Sequence, residues 1–207
     1  MEKETARLEA FSDGIFCVSI TLLALEVGIG EYEGATNLSL WRDILGRWPE
    51  YFTYLNSFAV VLLVWMGHHR IMRPVRVANT ATILLNGLVL FLVALFPFPT
   101  KTVGRFIGTG AESTAVAFYA GFTGLMNVAI LLLTLYLRRN TWLLLDLREG
   151  PAVLSGLLRW EVVGASAYAL LAVVALSSSR LALVGTFAMW VFWALVVAAA
   201  DEKRPRT

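Results

Sequence analysis

Six stretches of this chain, 12–29, 51–67, 80–96, 114–137, 160–176 and 181–200, are almost continuously apolar, and each is close to the length that crosses a bilayer as a helix. A hydrocarbon core about 30 Å thick needs about 20 residues at a rise of 1.5 Å. Inside lipid every backbone polar group must be satisfied within the protein, which leaves helices as the form such runs take. The expected fold is therefore all-α, a polytopic membrane protein with six transmembrane helices, residues 1–207 forming one transmembrane domain. Composition supports this: only 15% of the residues are charged, against about 25% in soluble domains, and the charges fall in short islands between the runs.

Loop charge orients the threading. Lys and Arg collect on the cytoplasmic side of membrane proteins. Here the amino terminus, second loop, fourth loop and tail hold 12 of the 17 basic residues, among them Arg7, Arg70, Arg73, Arg76, Arg138 and Arg139. The intervening loops hold Arg42, Arg47, Lys101, Arg105 and Arg180. Both termini are thus expected in the cytoplasm, with an even number of spans. The first apolar run is too long for a signal-peptide core and has no small-residue cleavage site, so it is expected to remain as a span. A net charge of +2 without a basic, aromatic-interleaved stripe argues against nucleic acid as a partner. Cys17, the single cysteine, excludes an intramolecular disulfide and a cysteine-based zinc site.

The first span is the most unusual segment, because Ser12, Asp13, Ser19, Thr21 and Glu26 lie in or beside its Leu/Ile/Val background. Intramembrane polar groups are costly unless they find partners or water. Two readings follow. Ser12 or Asp13 caps the helix while Ser19 and Thr21 bond back to their own backbone, or the helix faces a water-filled path shared between subunits. Helical spacing puts Val18, Leu22, Leu25 and Ile29 on one face and Cys17 with Thr21 on an adjacent one. Such a stripe fits ordinary packing and also a constriction that gates by dewetting. Glu26, near the outer end, reads either as a solvated interfacial charge or as a carboxylate that concentrates cations.

Elsewhere, Leu38, Trp41, Ile44, Leu45 and Trp48 recur at three- and four-residue spacing opposite Arg42, Asp43 and Arg47, predicting a short interfacial helix. Segment 138–159 mixes Leu runs with charge around Gly150 and Pro151 and also reads as lying along the cytoplasmic interface. His68 and His69 point to different sides of a helix and cannot readily share a metal; one is expected among the helices, bonded to a carboxylate, with Asp13 nearest. Asn86 reads as an interhelical hydrogen-bonding residue. The run Lys101-Thr102-Val103-Gly104-Arg105-Phe106 is not a TVGYG selectivity filter, since Arg105 stands in place of Tyr and no pore helix precedes it. No nucleophile elbow, P-loop or HExxH motif occurs, so no enzyme activity, cofactor or metal is expected.

Arg7-Leu8-Glu9-Ala10-Phe11-Ser12-Asp13 fits an RxxxFSD signature, and with Gly14-Ile15-Phe16, Thr21-Leu22-Leu23, Leu25-Glu26, Trp65, His68-His69-Arg70, Leu84-Leu85-Asn86 and Leu95-Phe96-Pro97-Phe98-Pro99-Thr100 it resembles the transmembrane protein 175 family of potassium channels. The resemblance covers the first half of the chain; the second half matches in hydropathy, length and span count. It implies a single six-span repeat from a prokaryotic plasma (inner) membrane, assembling as a homotetramer around a pore lined by the first helix. It places the pore constriction on Val18, Leu22 and Leu25, pore-lining polar groups on Thr21 and Cys17, and a structural network at the cytoplasmic end on Arg7, Phe11, Ser12, Asp13, His68 and His69. Val18 stands where the family pattern has Ile, and Cys17 where a small or polar residue is usual; both bear on pore width and gating.

The function this implies is a passive, potassium-permeable cation leak channel that also passes rubidium and caesium. Without rings of carbonyls to replace the hydration shell, its selectivity would be modest. The alternative is a proton-coupled carrier or proton pathway through Asp13, Glu26 and His68 or His69, against which stands the absence of Gly- or Pro-broken helices at mid-membrane. A scaffold without transport and a membrane enzyme using His68 have no positive feature.

Overall fold

The structure, a computed structural model, describes residues 5–25, 27–28 and 36–202, with side chains described through 196. Eight α-helices are found among these residues: α1 Ala6–Leu25, α2 Asn37–Gly46, α3 Trp48–Met72, α4 Thr80–Leu95, α5 Pro97–Phe106, α6 Glu112–Arg139, α7 Glu149–Ser177 and α8 Ser179–Glu202. The single β-bridge among them, Val75 with Leu144, belongs to no strand. The all-α expectation holds, and the apolar runs are helical over their described residues except at 27–28 and Phe96.

Five helical stretches are both long and apolar enough to cross a membrane: α1, α4 with α5 as one 27-residue unit, α6, α7 and the part of α8 up to Val196. At 25 residues α3 is long enough, but Asn56, Ser57, His68 and His69 dilute its apolar character. Asn56, Ser57 and His68 prove to be tertiary contacts rather than signs of a soluble helix, while His69 is exposed.

Three boundaries differ from the sequence expectation. First, the run 80–96 does not end in a loop. Only Phe96 separates α4 from α5, where the ring of Pro97 removes a backbone donor and resets the helix at its first position. The Lys101–Phe106 run therefore forms the C-terminal part of α5 instead of an extended segment.

Second, α7 begins at Glu149, well ahead of 160. The backbone N–H groups of Arg148 and Glu149 donate to Asp146 Oδ1 at 2.6 and 3.0 Å just before it, and hold that carboxyl below its ordinary range. Third, 138–159 does not simply lie along the interface. Leu143 and Leu144 are buried, and the backbone of 143–145 is tied to 74–77 through Arg76 N to Leu143 O (2.8 Å) and Leu145 N to Pro74 O (2.8 Å). Gly150 is small because a Cβ there would sit 2.9 Å from Leu144 Cδ1. Two loops at one end of the molecule are thus stitched together under a Leu plug, while Trp142, Leu145 and Leu147 remain exposed.

The amphipathic helix read from 38–48 is present as α2, which ends at Gly46. Thr36 caps it, its hydroxyl accepting from Ser39 N at 3.2 Å while Ser39 Oγ accepts from Thr36 N at 2.9 Å. Arg47 bridges α2 to α3 by pairing with Asp43 at 2.9 Å and Glu50 at 3.0 Å.

The centre of the molecule is α6, which packs against α4, α5, α7 and α8. Its buried side includes Val116, Tyr119, Met126, Leu133 and Leu137. It approaches α7 most closely where side chains are small: a Cβ on Gly124 would lie 3.3 Å from Tyr168 Cβ, the close-approach device of helices in lipid. By contrast α1 sits at the periphery, against α3, α4 and the end of α5.

Candidate functional site

The side chains of α1 divide sharply. Ser12, Phe16, Ser19 and Leu23 are buried, at spacings of four, three and four that define one face. Turned about 120° around the helix from that face, Phe11, Val18, Leu22 and Leu25 form a second stripe that is 61%, 56%, 40% and 76% exposed. Cys17 and Thr21 are exposed on the flank of that stripe. The face predicted by spacing to carry Val18, Leu22 and Leu25 is thus the face the subunit leaves uncovered. Glu26 and Ile29 lie outside the described residues.

Ser19 and Thr21 bond back to the backbone, as one sequence reading held, but neither Ser12 nor Asp13 caps the helix, because α1 begins at Ala6 and both lie in its interior. Ser12 Oγ donates to Leu8 O, Ser19 Oγ to Ile15 O and Thr21 Oγ1 to Val18 O, each at 2.8 Å. A donated hydroxyl still has lone pairs to offer. Ser12 uses one of them: Asn86 Nδ2 on α4 donates to Ser12 Oγ at 3.0 Å. Asn86 Oδ1 meets His68 Nε2 on α3 at 2.6 Å, so with this amide orientation the imidazole donates from Nε2. His68, Asn86 and Ser12 are 2%, 0% and 0% exposed. The chain His68 to Asn86 to Ser12 to the Leu8 carbonyl therefore runs donor to acceptor through three helices. The Phe16 ring leans on His68 at 5.4 Å.

Asn86 bonds between helices, as expected, but the partner expected for the histidine differs. Asp13 accepts from Trp65 Nε1 at 2.8 Å, and His68 bonds the Asn86 amide. The reason is depth: Ser12, one residue earlier on α1, points into the α3–α4 interface, and Asp13, rotated by about 100°, stays exposed. A neutral amide suits a buried imidazole without burying a charge. His69 is exposed, with its ring 6.1 Å from Trp65. The structure therefore brings Ser12, Asp13, His68 and His69 together with Trp65 and Asn86. Arg7 and Phe11 are exposed on α1 and take no part in these hydrogen bonds. Among the described residues no group of three or more His, Cys, Asp or Glu side chains is placed to hold a metal.

A second buried polar cluster escaped the sequence reading. Asn56 Nδ2 donates to Tyr119 Oη at 2.9 Å, Ser57 Oγ lies 3.1 Å from the same oxygen, and Thr100 Oγ1 lies 2.9 Å from Ser57 Oγ. It joins α3, α5 and α6. The available signal was an Asn-Ser pair in the middle of an apolar run, which needs a partner helix.

Comparisons with known proteins place these features. A sequence profile of the endosomal/lysosomal potassium channel TMEM175 matches residues 7–97, the segment that contains α1, α3 and α4. "Potassium channel Cha6605_3372" of Chamaesiphon minutus is 39% identical over 120 residues, 58% of this chain and 59% of that protein. "Potassium channel B446_29190" of Streptomyces collinus is 33% identical over 181 residues, 87% of this chain and 86% of that one. The human "Endosomal/lysosomal proton channel TMEM175" is 33% identical over 106 residues, which span 48% of this chain and 21% of that protein. The crystal structure described as a lysosomal potassium-selective channel TMEM175 homolog from Chamaesiphon minutus superposes with a TM-score of 0.84 at 28% identity, covering 94% of this chain and 98% of that one.

Proposed function

The chain belongs to the TMEM175 family of ion channels, and on that premise we propose that it is one subunit of a homotetrameric, potassium-permeable leak channel in a prokaryotic plasma membrane. Each subunit contributes six spans, α3 included, with both termini cytoplasmic. Four copies of α1 surround the pore.

The observation that supports this reading best is the exposed aliphatic stripe of α1. Val18, Leu22 and Leu25 project from a helix whose other face is anchored by the Ser12–Asn86–His68 chain. Copies of this stripe around an axis make a dry constriction that ions cross with part of their hydration removed. Thr21 and Cys17 add weak ligands beside it, and Glu26 concentrates cations at the outer mouth. Conduction is driven by the membrane potential and the concentration gradient alone, and rubidium and caesium pass with potassium.

Flux from potassium-loaded liposomes, without valinomycin, tests the reading. Protein-containing vesicles release potassium faster than empty ones, and Leu22→Asn or Leu25→Asn alters conductance or potassium preference. Release no faster than from empty vesicles contradicts a channel, and unaltered currents in both variants move the pore off α1. Since the human relative is described as a proton channel, proton flux is read in parallel with a pH dye. Proton movement without potassium movement would favour the proton pathway.

A further inference from the structure

Away from α1, a cavity of about 70 Å³ lies between α3, α6, α7 and α8. On α3 it is lined by Val60, Val64, Gly67 and Arg70, one face at helical spacing. From Val60 to Arg70 the helix rises about 15 Å. The opposite wall follows α7 from Leu157 through Trp160 to Tyr168, and α8 adds Trp190 and Trp193. The space is therefore a slot running along the helices, with room for roughly five to seven water-sized groups in file.

The slot is not sealed inside the bundle. Trp160 is 43% exposed, and Val64, Gly67 and Arg70 are half-buried. Its wall is chiefly aliphatic and indole carbon, so water inside would find few partners. Asn127 and Glu161 also lie on the lining, but Asn127 Oδ1 and Glu161 Oε2 are themselves buried and offer nothing to the contents. An empty slot would forfeit the dispersion contacts of a packed neighbour along its length. In a bilayer the material at hand to fill a narrow apolar slot is an acyl chain.

Gly67 supports that reading. In the interior of α3 glycine is a costly choice, and here no close approach demands it, since a Cβ would meet nothing within 4 Å. What its missing side chain does is keep the slot open. Arg70 sets the polarity. It lines the end of the slot where α3 finishes and α7 begins, and Arg73 and Arg159, both exposed, belong to the same end. A chain seated in the slot brings its headgroup to this end, where guanidinium groups suit phosphate oxygens.

We propose that the slot binds one acyl chain of an anionic phospholipid, with the phosphate held at its mouth by Arg70 in the positive field of Arg73 and Arg159. The proposed topology puts that end in the cytoplasmic leaflet; the binding itself depends neither on that orientation nor on conduction.

Phosphatidylglycerol with a brominated acyl chain is the probe, because bromine quenches tryptophan emission on contact and three indoles line the slot. The full-length protein in neutral detergent micelles is titrated with it, and brominated phosphatidylcholine is run in parallel. A saturable quench is expected, reached with phosphatidylglycerol at about tenfold lower concentration, the scale of a charge-assisted contact to phosphate. Gly67→Leu, which fills the slot, removes the saturable component, and Arg70→Gln erases the difference between the two lipids. If Arg70→Gln fails to fold, Gly67→Leu carries the test. Inorganic phosphate at the same concentration does not displace the lipid, and Leu22→Asn leaves binding unchanged. The proposal is overturned if no saturable quench occurs, if both lipids saturate alike, if Gly67→Leu binds as the natural chain does, if folded Arg70→Gln keeps the preference, or if inorganic phosphate reverses the quench.

Discussion

The polar chain joining α1 to α3 and α4 and the polar pair between α6 and α7 are both buried, yet they differ in closure. In the first, His68, Asn86 and Ser12 pass each proton to a defined acceptor and end on a backbone carbonyl. In the second, Thr134 meets one oxygen of Glu161, and Glu161 Oε2 and Asn127 Oδ1 are buried with no hydrogen-bond partner among the described residues. A closed network fixes one arrangement of helices, because every alternative leaves a polar group unpaired. An open one leaves polar groups unmet inside the fold, a cost that the surrounding packing must outweigh. The contrast separates a device that holds α1 in place from a pair that costs the fold stability.

Removing a link tests the closed network first. Asn86→Ala strips partners from both His68 and Ser12, and about 2 kcal/mol of stability is expected to be lost, read from unfolding in detergent. An unfolding midpoint equal to the natural chain's would mean that the chain does not hold α1.

Glu161→Leu reverses the logic. An apolar side chain of similar size replaces an uncompensated acid, so stability should shift by no more than about 1 kcal/mol and in the favourable direction. Thr134 keeps its bond to Ile130 O (3.0 Å) in that variant. A loss as large as that of Asn86→Ala would erase the distinction between the two networks. Trp65→Phe is the mildest: its indole bond to Asp13 lies at an exposed position, and about 0.5 kcal/mol is expected. Equal unfolding of this variant and Asn86→Ala would place the anchor at Asp13 instead of Ser12.

Much of this was legible in sequence because the signals were local. Run length gave the helices, and a period of 3.6 set Val18, Leu22 and Leu25 on the side of α1 that the subunit leaves exposed. Asn86 announced itself as an amide in a run of leucines. What was missed depended on partners distant along the chain. Pro97 and Pro99 mark a break, but only packing of α5 against α3 and α6 shows that the chain continues as helix. Arg148, Glu149 and Arg159 made the start of α7 resemble a charged loop. Sequence gives no means of telling a carboxylate that faces water from one that faces Thr134. For the same reason Asp13 looked like the partner of His68, although one residue's rotation gave that place to Ser12 and Asn86.

The central claim is that α1 lines the conducting path. Cys17 is the only cysteine, so Cys17→Ala is a thiol-free background into which Leu22→Cys can be placed. A cationic methanethiosulfonate reagent, applied to liposomes of that double variant, is expected to abolish most potassium flux while leaving Cys17→Ala alone unaffected. Complete labelling of the Leu22→Cys thiol with unchanged flux would contradict the account and move the pore elsewhere in the assembly.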